Sequence, residues 1–210
     1  MLSISFNSLN RFADGFIPPD MAADHEQRKQ ARMFIYSHIF GPFIGNSVPL
    51  ALYLFDPAPS YQVAVLALSI TGFWLFPFVL RSFGRYQTLV LLSVQNLIFC
   101  IMWSCYFYGG VTSPTLPWVL TIPLLAFFYV GSSRSLRLLV LGLFVANLIG
   151  FGLFFRFGSV PEVKMSFAAI QGLGIVSTIA AAIYVTMMAL FYARALASQV
   201  ELEGAVKRHL

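Results

Sequence analysis

The chain has 210 residues, of which 59% are hydrophobic and only 10% charged, with a net charge of +5 and a mean hydropathy of +0.79. Soluble domains carry about 25% charged residues, so this composition excludes a globule surrounded by water. The basic excess combines with no nucleic-acid-binding pattern; it fits a positive-inside bias and attraction to anionic headgroups, and no nucleic-acid partner is expected.

From the N-terminus, "MLSISFNSLNRFADGF" lacks the basic start, apolar core and small-residue cleavage site of a signal peptide, so the first span is expected to act as the insertion signal. Residues 1–19 read as loosely structured up to Pro18-Pro19. Asp20 is placed to cap a helix through "DMAADHEQRKQAR", acidic early and basic late, which runs on into the first span. Residues 1–32 thus form a cytoplasmic tail with an amphipathic helix.

Charge-free blocks then follow one another. Crossing about 30 Å of hydrocarbon takes about 20 apolar residues. The blocks predict an all-α, polytopic membrane domain over 33–193 with six transmembrane helices at 33–55, 61–80, 86–108, 116–132, 138–155 and 166–193. They do not alternate as barrel strands do. Of the 13 Lys and Arg residues, only Arg156 and Lys164 fall on one side; Arg28, Arg81, Arg134, Arg194 and the others fall opposite. Both termini are therefore predicted to be cytoplasmic.

In the first span, His38 is the one imidazole inside the apolar region. It reads as a neutral histidine bonded to a neighbouring helix, or as a haem ligand or pH-sensitive switch; haem usually needs two axial ligands, and no second intramembrane His is present. In the third span Cys100 and Cys105 point about 140° apart on a helix and read as small buried hydrophobes. Neither a metal site nor a cofactor is indicated. Asn46, Gln95, Asn96, Asn147 and Gln171 must each find a partner in lipid. Gln95-Asn96 is the densest polar spot, either interhelical glue or the lining of a small-ligand cavity.

Between the third and fourth spans, "GGVTSPTLPW" is followed by a span of only about 22 Å from Leu116 to Val130. Part of Val111 to Pro117, including Ser113, is expected to dip inward, as a structured hairpin loop or as the rim of a sensing pocket. Pro123 is placed to kink the fourth helix. Trp103 and Trp118 read as anchors near the outer interface. The sixth span is rich in small residues. Gly172, Gly174, Ser177, Thr178 and Ala182 form a candidate helix–helix interface, for packing within the bundle or for a dimer. At about 42 Å, the sixth span outruns the membrane core. Residues 194–210 continue it into the cytoplasm, with Leu196, Val200, Leu202, Val206 and Leu210 as candidate seam positions.

Enzyme signatures are absent: there is no phosphate loop, His-Glu-x-x-His or Gly-x-Ser-x-Gly, and the acidic residues lie outside or at the ends of the spans, which argues against a proton-coupled transporter or intramembrane protease. Taken together, "YSHIFGPFIG", "TGFWLFPF", "VQNLIFCIMWSCYFYGGVTSPTLPW", "LLAFFYVG" and "GLGIVSTIAAAIYVTMMALFYA" resemble the N-terminal membrane region of alphaproteobacterial sensor histidine kinases, some of them hybrids. "ASQVELEGAVKRHL" resembles the start of the signalling helix that leads to their dimerisation and phosphoacceptor domain. The resemblance covers residues 25–210 and brings no ligand and no catalytic residue with it. It implies a sensor and dimerisation module in the bacterial inner membrane, a homodimer, passing a signal through the sixth helix to a cytoplasmic kinase module and its response regulator. His209 is followed by Leu210 rather than Glu, so it does not match the phosphoacceptor. The alternative is a stand-alone subunit or assembly partner of a larger membrane complex.

Overall fold

The computed structural model describes residues 2–131, 133–158 and 161–209, apart from the side chains of 2–7, 126 and 198–209. The described chain is 85% helix and contains no strand. Five helical stretches are long and apolar enough to cross a membrane: His25–Phe55, Tyr61–Phe83, Tyr86–Phe107, Arg134–Phe157 and Phe167–Ala197. A shorter apolar stretch covers Leu116–Val130. The chain is an all-helical protein built for a membrane. Ser132 and Leu210, placed by sequence at the end of the fourth span and of the seam, lie outside the described residues, as do the side chains of Val200, Leu202 and Val206.

The N-terminus is more ordered than its sequence suggests. Leu2–Asp14 is a helix, α1, because Leu2, Phe6, Leu9 and Ala13 recur at helical spacing and form one apolar stripe. Ala13 is fully buried, and Phe16 meets Phe78 edge-on at 5.3 Å. Such a pair contributes about 0.5–1.5 kcal/mol beyond its buried area. The cap also falls elsewhere than expected. Pro19–Ala23 forms a short α2 with proline at its start, and the chain turns extended at Asp24. Asp24, not Asp20, caps α3 (His25–Gly45), its carboxylate accepting from Gln27 N–H at 2.9 Å. The competing side chain of Asp24 breaks the expected single helix in two. α3 then runs from the basic segment straight into the apolar region.

Proline interrupts three of the expected spans. Within α3, Pro42 has no N–H for the carbonyl of His38; Pro49, in α4 (Ser47–Phe55), has none for that of Gly45. The ladder breaks at Asn46, whose Nδ2 donates to Thr71 Oγ1 at 3.2 Å. The second span is α5 (Tyr61–Thr71), a 3₁₀ turn at Gly72–Trp74, and α6 (Leu75–Phe83). Pro77 gives nothing to Phe73, and Trp74 Nε1–H donates across to Ile39 O at 3.0 Å. The fourth is a 3₁₀ segment, Leu116–Leu120, followed by α8 (Thr121–Val130). Pro123 sits in the first turn of α8. In place of a mid-helix kink, the helix changes pitch there, and Thr121 Oγ1–H donates to Trp118 O at 2.6 Å.

The remaining long helices are continuous. α7 (Tyr86–Phe107) is the central helix, burying Val90, Ile98 and Cys105 completely. α9 (Arg134–Phe157) is peripheral, with only Leu136 and Val140 buried. α10 (Phe167–His209) packs on α3 and α4 and continues for 43 residues.

A cavity in the bundle as candidate functional site

Where α3, α5, α7, α8 and α10 converge, they leave a cavity of about 70 Å³. The proline breaks explain its position: Pro42 and Phe73 lie in its wall, and Leu125 follows Pro123 by two residues. Irregular backbone at this depth needs shielding by protein, and helices that change pitch cannot close on one another along their whole length.

Hydroxyls and rings tie the wall together. Ser37 Oγ pairs with Tyr184 OH at 2.5 Å, and Tyr129 OH donates to Ser37 Oγ, joining α3, α10 and α8. His38, 1% exposed, bridges α3 and α7. Its Nδ1 lies 2.6 Å from the Phe34 carbonyl, which can only accept, so Nδ1 carries the proton. Nε2 therefore accepts from the Ser93 hydroxyl, also at 2.6 Å. Its ring lies 3.9 Å from that of Phe34 and 5.0 Å from that of Phe76. Gly41 lies close against α10: a Cβ there would stand 3.3 Å from the Tyr184 ring.

The segment after α7 folds inward as its short apolar successor requires. Gly110 has φ +58°, and a Cβ at this position would overlap the ring of Phe155, so only glycine fits. Beyond it, Ser113 Oγ and Thr115 Oγ1 pair at 2.9 Å, and Cys105 Sγ lies 3.6 Å from Thr115 Oγ1. Trp118 differs from the interfacial anchor expected of it. It is 8% exposed, lines the cavity, and donates its Nε1–H to Ser177 Oγ on α10 at 3.2 Å. Thr115 and the loop place that indole, and Ser177 anchors it. Trp103 is partly exposed among Tyr61, Phe99 and Phe107 and donates to Gln62 O at 3.0 Å.

Of the residues singled out by sequence, His38 and Trp118 line the cavity, and Ser113 supports it through Thr115. Gln95 and Asn96 lie outside it. Gln95 exchanges hydrogen bonds with Asn147 on α9 at 3.3 and 3.1 Å, and Asn96 donates to Ser69 O on α5 at 2.9 Å. Both amides fasten α7 to its neighbours. The five small residues of α10 divide between two faces. Gly172 meets Phe55, Gly174 meets Pro114, and Ser177 holds Trp118, all within the chain. Thr178 and Ala182 turn outward beside Ile175, Ile179 and Ile183, which are more than half exposed.

Sequence reasoning missed Ser37, Ser93, Ser104, Thr115, Tyr129 and Tyr184, which supply most of the polar wall. Their signal was available: a hydroxyl inside an apolar span needs a partner, as an amide does. Among the described residues, no three His, Cys, Asp or Glu side chains gather as a metal site would require, and no Asp, Glu, Lys or Arg lines the cavity. Searches against protein-family models, curated proteins and solved structures each gave no match.

Proposed function

We propose that this chain is the membrane input module of a sensor histidine kinase in a bacterial inner membrane. In this reading six helices cross the bilayer, with Leu116–Val130 as the fourth, and both termini are cytoplasmic. The state of the bundle passes through α10 to a cytoplasmic kinase module and its response regulator. Two copies associate along the outward stripe of α10, where Thr178 and Ala182 lie among exposed isoleucines at spacings suited to close helix approach.

The observation that carries this reading is the continuity of α10. Its 43 residues span about 65 Å, roughly twice the hydrocarbon thickness. Ser177 and Tyr184 bond into the cavity region, while the same helix runs unbroken past Arg194 into a charged segment. A rigid rod with one part against the cavity and the other in a charged segment suits a two-state slide or rotation. The resemblance of several stretches to sensor-kinase membrane regions points the same way.

A second reading has its own support. α9 buries little of its surface within the chain, as expected of a subunit that packs against other membrane proteins. The experiment that separates the two uses an antibody against residues 20–32 on the source membranes, followed by incubation with ATP. A band well above 23.4 kDa that gains acid-labile phosphohistidine supports the sensor kinase. A band at 23.4 kDa that purifies with other membrane subunits and takes up no phosphate supports the second reading instead.

A further inference from the structure

We propose that the central cavity is a binding site for a small uncharged molecule with an apolar body and a single hydroxyl or carbonyl oxygen. Ser104 supplies its hydrogen bond. The inference gives the sensor reading a ligand class and rests on that reading only for the consequences of binding.

Ser104 is the observation that points to a ligand. It lines the cavity and is 2% exposed, and its hydroxyl has no hydrogen-bond partner among the described residues. Every neighbouring hydroxyl, imidazole and indole is engaged: Ser37 with Tyr129 and Tyr184, His38 with Ser93, Thr115 with Ser113, and Trp118 with Ser177. A buried hydroxyl left without a partner destabilises the fold, and a ligand oxygen accepting from it removes that cost.

The rest of the wall sets the ligand's other properties. Val48, Leu66, Ile70, Leu97, Ile101 and Leu125 present hydrocarbon. A charged ligand finds no opposite charge there and loses its hydration. At about 10–15 Å³ for each water-sized position, a cavity of about 70 Å³ holds about five such positions, and so a ligand of about five heavy atoms. Ordered water needs two to four polar partners per molecule, whereas the wall offers one uncommitted hydroxyl. An amphipathic ligand matches the wall better than a water cluster, and an uncharged one reaches it through the bilayer.

The test uses 2-bromoethanol, whose bromine quenches indole fluorescence, on the full chain in lipid nanodiscs. Trp118 lines the cavity, and Trp74 and Trp103 lie outside it. The expected result is a saturable quenching component on a linear background, lost in Trp118→Phe. Bromoethane, which lacks the hydroxyl, binds about fivefold more weakly, as one net hydrogen bond implies. In Ser104→Ala the two probes bind equally. Quenching that stays linear in the native chain overturns the proposal, as does a saturable component that survives Trp118→Phe or a hydroxyl preference that survives Ser104→Ala. The comparison of the two probes in the native chain needs no substitution, so it stands even where a variant fails to fold. No step requires phosphorylation. Binding with no kinase activity therefore removes the sensor-kinase reading and keeps the site, while phosphorylation with no saturable binding does the reverse.

Discussion

Asp14 fixes α1 to the bundle. Its carboxylate accepts from Arg28 and from Arg32, whose Nε and Nη2 both lie at 2.6 Å. Burial raises the carboxyl's pKa, and hydrogen bonds and charge from Arg32 and Arg28 outweigh this, bringing it to about 2. A depressed pKa stabilises the folded state above the unfolded value and stops doing so as pH falls through the folded one. Docking of α1 is therefore expected to hold from neutral pH down to about pH 4 and to loosen as pH approaches 2. Spin labels at Phe12→Cys and Phe83→Cys read this as a lengthening distance, and Asp14→Asn shows it already at pH 7. Ser93 tests the cavity wall in the same way. Ser93→Ala leaves His38 Nε2 buried without a donor, at an expected cost of about 1–3 kcal/mol, read as a lowered Tm. Ser104→Ala removes a hydroxyl that has no partner and is expected to leave Tm unchanged or higher in the absence of ligand. The same substitution on the same helix thus lowers Tm at one position and does not at the other.

At the scale of elements, the sequence announces the spans because uncharged blocks end where Arg and short Pro- or Gly-containing turns begin. Helices at Tyr86–Phe107 and Arg134–Phe157 lie close to the expected third and fifth spans. The cavity was harder to read. Pro42, Pro49, Pro77 and Pro123 are scattered along the chain, and only the fold brings the three broken helical stretches to one place. Gln95 and Asn147 were each recognisable as amides in need of a partner, but their pairing depends on how α7 and α9 register. Small residues on α10 were visible, yet with about 100° between successive residues composition alone does not say which face turns inward. Gly110 and Gly41 test two of these junctions. Gly110→Ala meets both a strained backbone and the Phe155 ring, so Tm falls, whereas Gly→Ala at a compatible site raises it; Gly110→Ala with Phe155→Ala recovers part of the loss. Gly41→Leu forces Tyr184 aside, with an expected cost of about 1–3 kcal/mol and a displaced α10.

At the scale of the whole molecule, the arrangement joins a cavity to a long rod. α10 contributes Tyr184 and Ser177 to the polar links around the cavity and then leaves the apolar region without a break. In the proposed mechanism the occupancy of the cavity and the position of α10 are coupled. The most direct measurement is the distance between spin labels at Phe83→Cys, on the basic end of α6, and Leu196→Cys, on α10, in nanodiscs with and without saturating 2-bromoethanol. Coupling gives a change of about 1–2 Å, the scale of helix slides at packed interfaces, and in Ser104→Ala the same change at about fivefold higher 2-bromoethanol. A distance that stays the same while Trp118 quenching shows the site to be filled would contradict it.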